Sequence, residues 1–131
     1  MSSHALRLRV YWEDTDAGGV VYHANYLKYF ERARSDWLRA CGIAQSMLQA
    51  DTGLVFVVAE IALRYVAPAR LDDLIEVGVA LQAAGRASLS LAQQARRDDD
   101  LLAAASVRIA CVEAGTFRPR RIPKPILDRL A

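Results

Sequence analysis

Near the start of the chain Leu6, Leu8, Val10 and Trp12 alternate with Arg7, Arg9 and Tyr11. A period of two predicts a half-buried β-strand over 6–12. The spacing then changes. Tyr26, Phe30, Ala33, Trp37 and Cys41 recur every three or four residues with Leu27 and Leu38 beside them, while Lys28, Glu31, Arg32, Arg34, Asp36 and Arg39 mostly take the other side. This predicts an amphipathic helix of about four turns. Gly42 is placed to end it, because glycine enters the left-handed backbone conformation of a helix C-terminus at little cost. A weaker signal predicts a second short helix around Ala44 to Ala50.

Everything after Gly53 reads as sheet. Residues 54–66, LVFVVAEIALRYV, are rich in β-branched and aromatic side chains, and APARLDD supplies a proline turn after them. Ile75, Val77, Val79 and Leu81 alternate with Glu76, Gly78, Ala80 and Gln82 up to Gly85, and ASLSLAQQAR follows as another strand. Beyond an acidic turn at Asp98 to Asp100, Val107, Ile109 and Cys111 alternate with Arg108 and Ala110; the preceding LLAAAS is compatible with helix but is read as strand. Connections of a few residues favour antiparallel neighbours, since a parallel crossover needs a dozen or more. The expectation is an α+β fold: one strand, one long helix, then four strands in a meander that curls round the helix to bury both apolar faces.

At 131 residues, 53% hydrophobic and 24% charged, the chain is expected to form one domain, 1–131, with a real core. The net charge of +2 is too small to argue for nucleic acid or a membrane as principal partner. Its distribution is uneven, because 118–131 carry Arg118, Arg120, Arg121, Lys124 and Arg129 against Asp128 alone. A solvated basic tail is the plainer reading of this proline-containing segment, in extended coil with a terminal turn of helix; a patch that meets phosphates or an acidic partner is the other. Cys41 and Cys111 have no metal-ligand spacing and read as buried free thiols of a reducing compartment. There is no apolar run of signal-peptide or bilayer-spanning length, which points to the cytoplasm.

The chemistry concentrates in DTDAGGVVYHANY, 14–26, at the approach to the long helix. The first N–H groups of a helix lack intrahelical partners and lie at the positive end of its dipole, so they suit an oxygen that becomes negative during a reaction. His23, Ala24 and Asn25 fall there, Gly18 and Gly19 let a substrate approach the main chain, and Asp16 lies a few residues upstream. A carboxylate beside oriented N–H donors is the minimum equipment for acyl transfer. On spacing alone a second reading stands beside it, in which Asp14 and Asp16 are turn or capping residues and His23 catalyses nothing. Neither GxSxG, GxxxxGK[ST], GxGxxG nor HExxH occurs, and with His4 and His23 the only histidines a metal site is not expected.

VYWEDTDAGGVVYHANYLKYFERAR, 10–34, resembles the signature segment of the bacterial hotdog-fold acyl-CoA thioesterases of the 4-hydroxybenzoyl-CoA thioesterase class, in the branch associated with the Tol-Pal cell-envelope system. FVVAEIALRYVAPARLDDLIEV (56–77), GRASLSLAQQ (85–94) and the RPRRIPKPI tail are similar to their counterparts there, so the resemblance covers nearly the whole chain. It implies a hotdog fold, a curved antiparallel sheet of about five strands wrapped around one central helix, assembled as a homodimer or homotetramer with active sites at the dimer interface. By position it places the catalytic acid on Asp16, the second aspartate of the family's D-x-D-x-x-G motif, and the main-chain donor to the thioester carbonyl at or beside His23. The His23 side chain would polarise the carbonyl or orient water.

The same resemblance makes Gly19, Tyr22 and Ala24 substrate-binding and sets Arg86 and Ser88 against the coenzyme A nucleotide. No cofactor is implied, because coenzyme A is part of the substrate. The implied partners are an acyl-CoA and an acyl carrier protein, with work near the inner membrane. Asp14 is read as structural, ordering the loop. The rival readings are a hotdog enoyl-CoA hydratase or dehydratase and a non-catalytic acyl-CoA-binding or envelope-associated protein.

Overall fold

A computed structural model describes residues 2–131. In chain order the elements are β1 (Ser3–Arg9), a 3-10 turn (Trp12–Asp14), α1 (Asn25–Ala40), α2 (Gln45–Thr52), β2 (Leu54–Tyr65), β3 (Leu74–Ala84), β4 (Ser88–Arg97), β5 (Asp100–Glu113) and α3 (Lys124–Leu130). The five strands form one antiparallel sheet in the order β1-β3-β4-β5-β2.

Helix α1 forms where its periodicity predicts. Tyr26, Tyr29, Phe30, Ala33, Trp37 and Leu38 make a buried stripe against Ile75, Val77 and Val79 of β3 and Leu89 and Leu91 of β4. Its end is a full Schellman motif: Gly42, at φ +84°, donates to the Arg39 carbonyl, and Ile43 donates to that of Leu38. Ile43 and Leu38 are both buried, so the closing turn is secured by apolar packing as well.

Three expectations are corrected. The meander holds for β3, β4 and β5, but β2 pairs with β5 at the far edge of the sheet, so the connection 66–73 crosses the ends of β5 and β4 before β3 begins. Three strand spacings amount to about 14 Å, within the roughly 27 Å that this connection spans when extended. Strand β1 stops at Arg9, and Trp12, counted among its inward residues, is 76% exposed in the 3-10 turn. The chain turns there because the Tyr11 N–H donates to the Asp14 carboxylate (2.9 Å).

The C-terminal segment, finally, is extended and then helical in α3 with Arg118, Arg120, Arg121, Lys124 and Arg129 exposed, as expected, but it is docked on the body of the protein rather than free. Pro119 bridges to Val112, the Ile122 N–H donates to the Arg86 carbonyl (2.8 Å), and Ile122 and Leu130 are fully buried.

Candidate active site

The segment 15–22 folds into a small hairpin. Thr15 bridges to Val21, the Asp16 N–H donates to Val20, and the Gly19 N–H returns to the Asp16 carbonyl, with Gly19 at φ +77° in the left-handed region. The glycines thus close the turn. The Gly18 N–H also donates to Asp16 Oδ1 (2.8 Å), and a Cβ at Gly18 would lie 3.1 Å from that oxygen. Asp16 is exposed, and Oδ2 has no partner among the described residues.

The hairpin is moored on both sides. Val21 donates to the Ala69 carbonyl and Val20 bridges to Arg70, which attaches it to the 66–73 crossing. That crossing is held by Arg97, which donates to the Asp73 carboxylate (2.7 Å) and the Pro68 carbonyl. Partial burial pushes the Asp73 pKa up, but the Arg70 N–H and the Arg97 guanidinium outweigh it and hold the carboxyl below its ordinary value.

On the other side, Asp14 is 6% exposed and has no cationic partner within salt-bridge distance among the described residues. Its carboxylate accepts from the Tyr11 N–H and from the Asn25 side-chain amide (both 2.9 Å), and its carbonyl accepts from the Tyr22 N–H. The Tyr29 hydroxyl lies beside this pair without meeting either at hydrogen-bond geometry; burial above all, then the Asp14 charge, pushes its pKa up.

The turn so fixed runs directly into α1. The Asn25 N–H, expected among the free donors, is instead taken by the Tyr22 carbonyl (2.8 Å). Those of His23 and Ala24 have no acceptor among the described residues. They lie at the positive end of the helix, where an oxyanion would be stabilised. The His23 ring lies edge-on to Tyr22 (4.6 Å between centroids) and Tyr65 (6.4 Å), and the Tyr65 hydroxyl donates to the His23 carbonyl (2.7 Å). Tyr65 was not anticipated as a site residue. Its signal in the sequence is only that it ends the inward-facing series of β2.

Asp16, Gly19, Tyr22, His23 and Ala24 therefore share one end of the molecule. Arg86 and Ser88 do not. Arg86 lies in the β3–β4 turn and Ser88 opens β4, whereas the hairpin adjoins the opposite end of β3, where Val10 donates to the Asp73 carbonyl. About 33 Å of strand separates the two places. Arg86 instead lines a cavity of about 450 Å³ with Arg121, Lys124, Ile122 and Leu127. Among the described residues no three His, Cys, Asp or Glu side chains converge to hold a metal, and no helix is long and apolar enough to cross a membrane.

A curved five-stranded antiparallel sheet around one long helix, with this loop feeding the helix, defines a class: residues 10–130 match the thioesterase-like superfamily, and the chain belongs to it. Its fold is the hotdog fold. Among its relatives, a Haemophilus influenzae protein named acyl-CoA thioesterase YbgC is 43% identical over 91% of this chain and 88% of its own length. An Escherichia coli O6:H1 protein named acyl-CoA thioester hydrolase YbgC is 42% identical over 92% and 90%. The crystal structure of a probable thioesterase from Bartonella henselae superposes with a TM-score of 0.89 at 34% identity, covering 93% of this chain and all of that one.

Replacing Asp14 by Ala strands the Asn25 amide and the Tyr11 N–H. The expected loss of stability is about 1–3 kcal/mol, read from the urea midpoint with m unchanged; a loss under a few tenths would show that water replaces the carboxylate. The Asp73 carboxyl is lowered on folding, so it stabilises the fold above the ordinary carboxylate range, and that contribution disappears as pH falls through it. Between about pH 7 and pH 3 the Asp73→Asn variant should lose less stability than the parent. Parallel curves would contradict this.

Proposed function

We propose that this chain hydrolyses acyl-CoA thioesters to a free acid and a thiol. The observation that carries the reading is local: the Asp16 carboxylate, with Oδ2 unengaged, and the unpaired N–H groups of His23 and Ala24 leave the same short loop. The names of the relatives most similar to this chain support it.

The thioester carbonyl oxygen is held by the N–H groups at the start of α1. The Asp16 carboxylate either attacks the carbonyl carbon itself, forming an acyl-Asp16 anhydride that water then hydrolyses, or takes a proton from a water whose oxygen attacks that carbon. On either route the tetrahedral intermediate collapses with cleavage of the C–S bond and the thiolate leaves and is protonated; the acid is released at once where water attacked, and on hydrolysis of the anhydride where Asp16 did. Negative charge grows on the carbonyl oxygen as the tetrahedral intermediate forms, so donors fixed beforehand stabilise it most where it counts. Gly19, Tyr22 and Ala24 border this place, and the His23 ring, its carbonyl anchored by Tyr65, is positioned to polarise the carbonyl or orient water.

Arg86 and Ser88 of one copy would then serve the phosphates of a substrate held by another copy. The edge of β2 suits such an assembly. It is 12 residues long, its outer backbone groups lack a neighbouring strand, and the inward-facing Val58 is 47% exposed. A homodimer paired along β2, alone or within a tetramer, covers that edge. An acyl carrier protein and a place near the inner membrane, the setting implied by the Tol-Pal resemblance, suit the exposed cations Arg118 and Arg121; Arg120 is already paired with Glu113 (2.8 Å).

Asp16→Asn should lower kcat for CoA release by about 10²–10⁴-fold with the thermal midpoint retained; near-normal turnover would remove Asp16 from the chemistry. The chain should sediment at a multiple of its 14.5 kDa, and Val58→Lys should shift it toward the monomer. A parent that is monomeric at micromolar concentration would refute the β2 interface. Replacing Arg118 and Arg121 together by Ala should impair carrier-bound substrates more than free CoA esters, and equal effects would dismiss the carrier.

A further inference from the structure

Helix α1 packs chiefly on β1 and β3 and is hydrogen-bonded to Gln93 of β4, while α2 rests against β2. The rest of the inner face of β2 is only partly covered: Phe56, Ile61 and Leu63 pack half-buried against the core, while Val58 and Tyr65 are exposed. Val58, Ile61, Leu63 and Tyr65 point inward, opposite the inward-facing Ile109, Val107, Ala105 and Ala103 of β5, yet they are only half-buried or exposed. At one end of this groove Tyr65 meets Tyr26 (5.5 Å between centroids) and the His23 carbonyl. Toward the other is a cavity of about 100 Å³ between α1, α2 and β2, bordered by Glu31, Arg34, Ser35, Phe56 and Val58.

Arg34 is the unusual member of that lining. It is 8% exposed, and its guanidinium makes one hydrogen bond, from Nη1 to Gln93 Oε1 (2.9 Å). Gln93, itself 1% exposed, is committed by its amide to the Phe30 carbonyl (3.0 Å), so a neutral acceptor is all it offers the arginine. Among the described residues no carboxylate lies within 4.0 Å of Arg34; Glu31, one turn earlier, accepts the Ser35 hydroxyl (2.7 Å) instead. A guanidinium carries five N–H donors. A buried cation with one neutral partner is costly unless something else supplies acceptors. Burial does lower the Arg34 pKa, partly opposed by the Glu31 charge, but arginine remains protonated.

We propose that Arg34 binds an oxygen, as carboxylate, hydroxyl or carbonyl, at the end of the acyl group distal to the thioester, making this chain selective for acyl groups oxygenated there. The inference rests on the thioesterase reading. From Tyr26 to Arg34 the helix rises about 12 Å, so an acyl chain entering at the His23 turn passes the apolar side chains of β2 before it reaches the guanidinium. Pairing of a second copy along the β2 edge is compatible with this, because edge pairing uses in-plane backbone groups while the inner side chains still point into the groove. A methyl-ended chain of matching length would fill the groove but leave the Arg34 donors unpaired, which is how a polar site rejects an apolar analogue.

The test is CoA release from acyl-CoAs of increasing length that end in methyl, hydroxyl or carboxylate. At one chain length the oxygen-ended esters should exceed the methyl-ended ester in kcat/KM by about 10- to 100-fold, and Arg34→Met should bring that ratio toward one. Equal turnover of the three by the parent overturns the inference without needing the variant. So does an Arg34→Met protein that loses activity on all three alike, or one that changes oligomeric state with the ratio intact, since Arg34 would then serve the contact between copies. Absence of CoA release from every ester would instead overturn the hydrolase reading beneath it.

Discussion

One constraint organises this molecule: the apolar stripe of α1, from Tyr26 to Leu38, must be buried by a single sheet. A flat sheet would cover one line of contact, so the strands curve round the helix, and the 66–73 crossing runs from the β2 edge past β5 and β4 to β3. The helix cannot cover five strands at once. It lies over β1 and β3, meets β4 at Gln93, and leaves the inner face of β2 partly bare. The same geometry that builds the core thus leaves a groove alongside it, with the helix N-terminus at one end.

The elements were largely legible because their signals are local. A period of two over 75–82 and a period near 3.6 over 26–41 are properties of neighbouring residues, and tertiary packing agreed with both. The position of β2 is another matter. It depends on which strand end lies within reach of the 66–73 segment, and nothing in LVFVVAEIALRYV distinguishes an edge beside β5 from one beside β3. Trp12 misled for a related reason: it continues the alternation of β1, yet Asp14 captures the Tyr11 N–H and turns the chain first. In the site, the loop residues could be placed together because they are contiguous. Tyr65 could not, since its contact with His23 joins residues 42 apart in sequence.

The buried polar side chains among the described residues are Asp14, Asn25, Arg34 and Gln93. Arg34 of α1 and Gln93 of β4 are buried together between helix and sheet, where an aliphatic pair would avoid the desolvation of a charge. Gln93 engages both its amide nitrogen, on a helix carbonyl, and its oxygen, on the arginine, whereas the guanidinium engages one of its five donors. The asymmetry explains why Arg34, and not Gln93, has unspent donors near a cavity.

The two aspartates of the loop divide the work by how their lone pairs are used. Sequence gives them equivalent spacing in D-x-D, but Asp14 directs both carboxylate oxygens inward, to Tyr11 and Asn25, whereas Asp16 ties one oxygen to Gly18 and leaves the other open. Only a carboxylate with an accessible electron pair can attack or activate water, so Asp16 is suited to the chemistry and Asp14 is not. Asp14 acts through position. By holding Tyr22 through its carbonyl and Asn25 through its carboxylate, it fixes the turn between them, and that turn carries the two N–H groups left without acceptors. Donors rigidly oriented before charge develops need no reorganisation when it appears. A buried carboxylate without a cation is an expensive way to shape a loop, and that cost is understandable if the orientation of the His23 and Ala24 N–H groups is what the loop exists to maintain.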